Sequence, residues 1–360
     1  MKEKKYLHLH QLLRERLQDM LPGEKLESVR SLQRRYQVSL STLNSALKLL
    51  TEEGLLCSVQ YKGLYRSRPT ADAASRTVVL VLPGREEPLF QRIILSCYEA
   101  LRARNISMQL SIYRLNLEAE VQTMKEVLER RPDGVLYMPT TISESLKELL
   151  RSWAQVLPLV QINREVGEPF LSFVGNQCQE ASRLATEMLI RAGHRRIGVI
   201  RSSNAHFCLD QQERLAGFHQ ALQEAGIPFS PQWEIAFDSL DPTISSDVVS
   251  LLMSPERPTA FFATNSVFLP QLLQKAAFCK VKVPEELSVT SFDLKESFDN
   301  LPLKVSYLAQ PMEGLCARGV EMLNEMMTRR DLTPRRDLLA PAPCPGETCL
   351  PPPKAVGKKA

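Results

Sequence analysis

The sequence contains no apolar run that approaches the roughly 18–20 residues needed to span a bilayer. The basic start at residues 1–5 is followed, from Tyr6, by an amphipathic pattern and not by the apolar core of a secretory signal. We therefore expect a cytoplasmic protein that does not have a membrane as a partner.

Cysteine and histidine do not form any pattern that would bind a metal. None of the eight cysteines forms a Cys-x-x-Cys pair, and the five histidines do not cluster. This usage is typical of free thiols in a reducing compartment. The sequence also lacks a Gly-x-Ser-x-Gly elbow, a Gly-x-Gly-x-x-Gly turn and a Walker-type phosphate loop. We predict no metal, no cofactor and no enzymatic activity.

Positive charge is concentrated at the N-terminal end. Residues 1–70 hold 13 lysines and arginines against seven acidic residues, a net charge of +6, whereas the remainder carries −2 of the overall +4. We call residues 1–70 the head and the remainder the body. A basic head on a mildly acidic body indicates that the head binds a polyanion. A merely solvated surface has the same composition, so charge alone leaves both interpretations open.

Three helical patterns and a hairpin pattern fill the first 68 residues. Apolar residues repeat at three- and four-residue steps over 6–20, a second helix spans about 28–36, and a third runs from after Val38 to Gly54. Two short strands then flank Tyr61-Lys62-Gly63. This order predicts a winged-helix domain over residues 1–68, followed by a polar linker over 69–76.

The helix after Val38 is the candidate for insertion into a DNA major groove. Hydroxyl and amide side chains that can bond bases or phosphates lie in its first turns, namely Ser39, Ser41, Thr42 and Asn44. Arg30 on the preceding helix and Lys62 on the wing suit contacts to phosphates or to the minor groove.

The order of these signals resembles the GntR-family winged helix. The matching features are Pro22-Gly23 before the second helix, Ser28 near its start, Val38-Ser39 opening the third helix, and Glu53-Gly54-Leu55 before the wing. The resemblance covers about residues 6–68. It implies that DNA is faced by Ser28, Arg30, Ser39, Ser41 and Thr42.

From Val78 onward, short apolar runs alternate with helical stretches. The runs are 78–82, 108–113, 134–138, 159–162, 197–200, 260–263 and 287–292. This alternation predicts an α/β fold with doubly wound parallel sheets, and its length predicts two lobes over residues 77–340. We expect lobe 1 at about 77–172 and 297–325, and lobe 2 at about 173–293 and 326–340. The proline-rich residues 341–360 are expected to be a disordered tail with Cys344 and Cys349 as exposed free thiols.

Doubly wound lobes bind ligands at the carboxyl ends of their strands. Candidate side chains that follow the predicted strands are Phe90, Asn163, Asn265 and Asp293. Asp, Asn and Arg can bond vicinal hydroxyls while an aromatic ring covers C–H groups, so the mixture favours a neutral polyol such as a sugar. Taken singly, Phe90 and Asn163 favour a structural role over ligand binding.

Motifs in this region resemble the effector domain of the LacI/GalR family, which is similar to a periplasmic sugar-binding protein. They include Gly193-His194-Arg195-Arg196, Arg214-Leu215-Ala216-Gly217-Phe218, Phe262-Ala263-Thr264-Asn265 and Ser291-Phe292-Asp293. The resemblance spans about residues 76–340 and implies that Arg214, Asn265 and Asp293 contact the effector. The sequence departs from the family pattern at Ser266 and Leu294, where the family has aspartates.

Head and body together predict a ligand-responsive transcription regulator, a repressor that binds operator DNA as a homodimer and senses a sugar-like small molecule. A solute-binding protein of a transport system would share the two lobes and is the alternative. The basic winged helix and the missing secretory signal favour the regulator.

Overall fold

The computed structural model describes residues 2–20, 24–53, 55–59, 63–66, 76–85, 87–202, 209–237 and 246–353. The chain divides into two compact units, Met1–Ser75 and Arg76–Ala360. Of the predicted linker over 69–76, only Arg76 lies among the described residues.

The described residues of the first unit form three helices and a two-stranded sheet, as the sequence predicts. These are α1 (Lys2–Asp19), α2 (Val29–Tyr36), α3 (Leu40–Glu52) and the antiparallel strands β1 (Leu56–Val59) and β2 (Gly63–Arg66). Leu13, Leu32 and Leu43 are completely buried in one apolar core that also includes Leu50 and Leu56. The predicted winged-helix fold of the head is confirmed.

Serine caps set the starts of α2 and α3. The N–H of Ser31 donates to Ser28 Oγ at 3.2 Å, and the N–H of Thr42 donates to Ser39 Oγ at 3.2 Å. Each bond satisfies one backbone donor that the first turn of a helix leaves unpaired. Between the helices, Gln37 adopts a left-handed φ of 49°, which ends α2 and turns the chain into α3.

The second unit alternates strands and helices along the chain. In order, its elements are β3 (Thr77–Pro83), α4 (Pro88–Arg102), β4 (Ser107–Tyr113), α5 (Leu117–Glu129), β5 (Gly134–Tyr137), α6 (Glu144–Ala154), β6 (Leu159–Ile162), β7 (Ser172–Asn176), α7 (Cys178–Arg191), β8 (Ile197–Ser202), α8 (Leu209–Glu224), β9 (Glu234–Phe237), α9 (Ser246–Met253), β10 (Ala260–Ala263), α10 (Leu269–Phe278), β11 (Ser288–Asp293), β12 (Ser306–Ala309), α11 (Met312–Arg329), β13 (Arg336–Leu339) and β14 (Ala342–Cys344). Among the described helices, none combines the length and the apolar character needed to cross a membrane.

These elements form two lobes, each built around a six-stranded sheet. The strand order is β13-β7-β6-β5-β3-β4 in the first lobe and β14-β12-β11-β10-β8-β9 in the second. All neighbours are parallel except β12 and β14. Every residue of β5, β6 and β10 is buried, because helices cover both faces of a parallel sheet. The predicted two-lobed, doubly wound fold is confirmed.

The boundaries between the lobes differ from those predicted. Strands β7 and β13 pair with each other in the first lobe, although residues 173–293 and 326–340 were expected in the second. Strand β12 lies in the sheet of the second lobe, although residues 297–325 were expected in the first. The chain therefore crosses between the lobes after β7, after β12 and after β13. Edge strand β13 alternates exposed and half-buried residues, so it has no apolar run to reveal it.

The segment from 342 to 353 is ordered, so the prediction of a disordered tail is wrong for these residues. β14 pairs with the edge of β12, where prolines are tolerated because the outer side needs no backbone donor. Thr348 is 1% exposed, and its hydroxyl donates to Val289 O at 2.7 Å and accepts from the N–H of Ser306 at 2.8 Å. Cys344 and Cys349 are half-buried against the second lobe, not exposed. Residues 354–360 lie outside the described part of the chain.

Candidate functional site

The first two turns of α3 carry an exposed polar face. Ser41 and Asn44 are exposed, beside Leu40, while Leu43 and Leu47 of the same helix are buried in the head core. Ser39 Oγ lies 3.1 Å from Ser41 Oγ and 2.8 Å from Thr42 Oγ1. Ser39 therefore caps the helix and orients two neighbouring hydroxyls, whereas Asn44 presents its amide outward.

The other predicted DNA contacts have more varied surroundings. Ser28 and Arg30 are exposed at the start of α2, next to the cap bond that Ser28 accepts. Lys62 lies outside the described residues. These residues remain predicted contacts.

A charged cluster links α1 to α2 within the head. Arg16 Nη2 and Arg35 Nη1 both donate to Glu27 Oε1 at 2.7 Å. The hydrogen bond from Arg16 is the main reason that the pKa of Glu27 lies below its ordinary value. Glu27 thus fixes the approach of α2 to α1 and holds Arg35 in place.

In the second unit, a cavity of about 260 Å³ lies between the two lobes. Residues that follow strand ends of both lobes line it, together with the first turns of α4 and α8. The lining consists of Arg85, Glu87, Pro88, Leu89, Leu115, Thr140, Asn163, Arg164, Ser202, Asp210, Gln211, Arg214, Asn265, Ser266, Val267, Pro270, Asp293, Ser297 and Gln310. The structure thus brings together Asn163, Arg214, Asn265 and Asp293, all predicted from sequence.

Arg214 is held from several sides in the cavity wall. Its Nη1 donates to Thr264 O at 2.6 Å and also to Asn265 Oδ1, and its guanidinium lies 4.7 Å from the centre of the Phe292 ring. Its Nη2 lies 3.3 Å from Asp210 Oδ2. Arg214 and Asn265 therefore form one bonded unit, not two independent contacts.

Asp293 is also bonded within its own surroundings. Its Oδ2 accepts from the N–H and the hydroxyl of Ser266 at 3.1 and 2.6 Å, and its Oδ1 accepts from Leu294 N–H and Ser297 Oγ at 2.8 and 3.2 Å. Ser266, which stands where the resembled family has an aspartate, is thus a donor to Asp293. The carboxylate thus joins the segment that follows β10 to the segment that follows β11 beside the cavity.

Asn163 reaches the cavity from the end of β6 with a left-handed φ of 63°. Its Oδ1 accepts from Asn176 Nδ2 at 2.8 Å, and Asn176 Nδ2 also lies 3.1 Å from Gln310 Oε1. Sequence reasoning missed Gln310, because it follows the short strand β12, which the pattern of apolar runs did not reveal. Recognising residues 306–309 as a strand would have placed Gln310 just past a strand end and made it a candidate.

Phe90 does not line the cavity. It is buried in the core of the first lobe with Ile93 and Cys97, while its neighbours Pro88 and Leu89 line the wall. The expectation of Phe90 as an effector contact is therefore wrong. The reason is helical phase, since α4 begins at Pro88 and turns the third residue toward the sheet.

The cavity wall balances its charges. Its lining holds three arginines and three carboxylates, and two of these pairs are in contact, Arg85 with Glu87 at 2.6 Å and Arg214 with Asp210 at 3.3 Å. A wall of this kind suits an uncharged, polar ligand. Among the described residues, no group of His, Cys, Asp or Glu is arranged to hold a metal ion.

Ion pairs connect the lobes beside this cavity. Arg92 of α4 contacts Glu296 of the second lobe and lies 3.2 Å from Glu313. Arg336 of β13 contacts Glu165 of its own lobe and lies 3.9 Å from Glu213 of α8. Each arginine thus has one carboxylate partner on each lobe. It would therefore keep a counterion if the lobes separated.

Two family models match the chain. Residues 5–65 match the model described as bacterial regulatory proteins, gntR family, and residues 186–349 match the periplasmic binding protein-like domain. The chain joins a gntR-family head to a periplasmic-binding-protein-like body. The first match lies within the first unit, the second covers part of the second unit, and both agree with the resemblances seen in the sequence.

Curated relatives share this organisation to different extents. The arabinose metabolism transcriptional repressor of Geobacillus stearothermophilus is 26% identical over 94% of this chain and 96% of its own length. The HTH-type transcriptional repressor PurR of Aliivibrio salmonicida is 28% identical over 60% of this chain and 65% of its own length. Similarity to the first relative therefore covers both head and body.

Solved structures of transcription regulators resemble this chain in fold. The transcriptional regulator CelR in complex with cellobiose superposes with a TM-score of 0.67 at 22% identity, over 87% of this chain and 92% of CelR. A LacI family regulator from Enterococcus faecium with bound ribose gives 0.66 at 18% identity, over 76% and 99%. At these identities the likeness shows the shared fold.

Proposed function

We propose that this protein is a ligand-responsive transcription repressor that binds operator DNA through its head and senses a small sugar-like molecule in the cavity. The observation that carries the proposal is that one chain combines a gntR-family head, with an exposed polar face on α3, and a polar cavity between two lobes. We expect the protein to bind DNA in the cytoplasm. The gntR-family match favours this function over solute binding for transport.

Two observations support the repressor and its effector. The relatives described above are named transcriptional repressors, which are not enzymes. The balanced charges of the cavity suit an uncharged polyol, and two structures of the same fold hold cellobiose and ribose. We therefore propose a neutral sugar as the effector.

The proposal includes a homodimer. Edge strand β4 and neighbouring α4 expose Ile112 (58%) and Leu95 (57%), with Tyr98 and Leu110 beside them. Large exposed apolar side chains on neighbouring elements are typical of interaction surfaces. A two-fold dimer would place two heads on two half-sites of an operator.

The proposal is tested by selecting duplexes from a random pool with the full-length protein. We expect one enriched sequence, with affinity that falls with salt at a log–log slope of about −4 to −5, for about five phosphate contacts. L-Arabinose, D-ribose, cellobiose and hypoxanthine are then added in turn. A neutral sugar should raise the melting temperature and change DNA affinity.

Failure to enrich any sequence would refute the proposed function as a transcription regulator. A response to hypoxanthine and to none of the sugars would retain the regulator but refute the sugar effector. Sedimentation of the Ile112→Glu variant, with Val156→Glu as an exposed control on another surface, tests the dimer. The proposed interface requires that only Ile112→Glu reduces the mass.

A further inference from the structure

We propose that Asp210 sets the ligand class of the cavity by neutralising Arg214, so that the site takes uncharged ligands and rejects anions. The inference rests on the proposed function in placing the effector in this cavity. Asp210 belongs to none of the motifs that predicted the site, and it lies one helical turn before Arg214 on α8.

The geometry pairs the two charges inside the wall. Asp210 Oδ2 lies 3.3 Å from Arg214 Nη2, and the two side chains are only 6% and 5% exposed. Both residues line the cavity. At such burial water screens the charges little, so a carboxylate at this distance largely cancels the attraction of the guanidinium for an anion.

The carboxylate is poorly satisfied by its own surroundings. Gln211 Nε2 donates to Oδ2 at 3.0 Å, but Oδ1 is buried and has no hydrogen-bond partner among the residues that the structure describes. A buried carboxylate oxygen without a partner lowers stability. Asp293 is different, because its carboxylate accepts four hydrogen bonds within the second lobe. Asp210 therefore contributes to the site chiefly through its charge.

Arg214 retains donors for an anion once that charge is removed. Its Nη1 is occupied by Thr264 O and Asn265 Oδ1, whereas Nη2 lies against Asp210. Nε has no hydrogen-bond partner among the described residues, and the guanidinium also lies close enough to the Cys178 thiol to oppose the rise in its pKa that burial causes. Without Asp210, the guanidinium would keep its positive charge and the donors of Nη2 for a ligand in the cavity. Such a group binds phosphate or sulfate through charge-assisted hydrogen bonds.

The experiment uses the full-length protein and inorganic anions, so it does not depend on knowing the effector. Calorimetric titration with phosphate and with sulfate, against chloride at equal ionic strength, is done on wild type, Asp210→Asn and Asp210→Ser. We expect wild type to show no site-specific anion binding and both variants to gain affinity about tenfold or more.

Three further variants decide the cause of any gain. Asp210→Glu keeps the negative charge and should not bind the anion, while Glu224→Gln, at the far end of the same helix, should behave as wild type. The double variant Asp210→Ser/Arg214→Ala should lose the gain. Circular dichroism and melting curves check that each variant folds, and two different uncharged replacements at 210 guard against failure of one.

Two results would overturn the inference. One is phosphate binding to wild type as tightly as to Asp210→Asn. The other is no gain in either folded variant, or a gain that survives in the double variant. The sugar panel is separate: a wild type that responds to none of the sugars refutes the proposed effector, whatever the anions do.

Discussion

On the head, Ser41 and Asn44 stand exposed on the first turns of α3, whereas in the cavity Arg214 and Asp293 are already bonded to their own chain. The exposed side chains are open to solvent, and Ser41 Oγ has only a local contact among the described residues, with Ser39 Oγ at 3.1 Å. The cavity groups hold segments of the second lobe together before any effector is present. Substitutions on the head should therefore change binding, whereas substitutions in the body should change binding and stability together.

The largest effect expected from this comparison is that of Arg214→Ala. It would leave Asp210 as a buried carboxylate without its cation, which lowers the free energy of unfolding of the body by about 3–5 kcal/mol. Urea denaturation measures this value. Arg183→Ala, which removes a more exposed arginine paired with Glu180 and Glu187, should lower it by about 1 kcal/mol or less. Equal losses for the two variants would contradict the structural role of Arg214.

Thr348→Val tests whether the C-terminal segment belongs to the body. The substitution keeps the shape of the side chain but removes the acceptor for Ser306 N–H, a buried donor. Leaving that donor unpaired should lower the free energy of unfolding by about 1–3 kcal/mol, measured by urea denaturation. Thr123→Val on α5 is the half-buried control. Unchanged stability in Thr348→Val would restore the expectation of an independent tail.

Asn44→Ala sharpens the comparison from the head. Because Asn44 is exposed, the free energy of unfolding should change by no more than about 0.5 kcal/mol. Affinity for the selected operator should fall about tenfold or more, as for the loss of a base contact, measured by fluorescence anisotropy. Gln11→Ala on α1 should alter neither quantity. Unchanged operator affinity in Asn44→Ala would remove this residue from the proposed DNA face.

The smallest expected effect is a pH dependence from His194. Burial lowers the pKa of His194, whose Nε2 lies 2.7 Å from Leu350 O and whose Nδ1 lies 2.8 Å from Thr259 Oγ1. The unfolded chain then binds a proton more readily than the folded one below the ordinary pKa of about 6.5. The stability contribution is therefore complete above that pH and declines as the pH falls through it.

Thermal melts between pH 7.5 and 5.5 measure this decline. His194→Gln should reduce the slope of stability with pH, while the exposed His8→Gln should not. Burial also lowers the pKa of His219, so part of the slope should persist in His194→Gln. An identical slope in wild type and His194→Gln would refute the assignment of this pH dependence to His194.

The sequence predicts what depends on strong local patterns. The apolar runs at 134–138 and 260–263 coincide with buried strands β5 and β10, because a strand covered on both faces must be apolar throughout. Asn163, Arg214 and Asn265 were placed in one site although they are far apart in the chain. Asn163 and Asn265 each follow the carboxyl end of a parallel strand, where doubly wound lobes bind ligands, whereas Arg214 lies on α8 and was implied by the family resemblance.

Features fixed by tertiary contacts escape such patterns. Strands β13 and β14 lie at sheet edges, where half-exposed residues and prolines are tolerated, so neither has a distinctive sequence. Phe90 and Leu89 are equally apolar, and only the phase of α4 decides which one faces the cavity. Asp210 is one acidic residue among many until its distance from Arg214 is known.

The three crossings of the chain between the lobes have a consequence for biosynthesis. The sheet of the first lobe includes β13, which is translated long after its neighbour β7. At about 5–20 residues per second, the ribosome needs about 8–30 s to go from residue 176 to residue 336. Throughout that interval the edge of β7 has no partner, and an unpaired edge is prone to aggregation. We therefore expect this protein to depend most on molecular chaperones while its body is being synthesised.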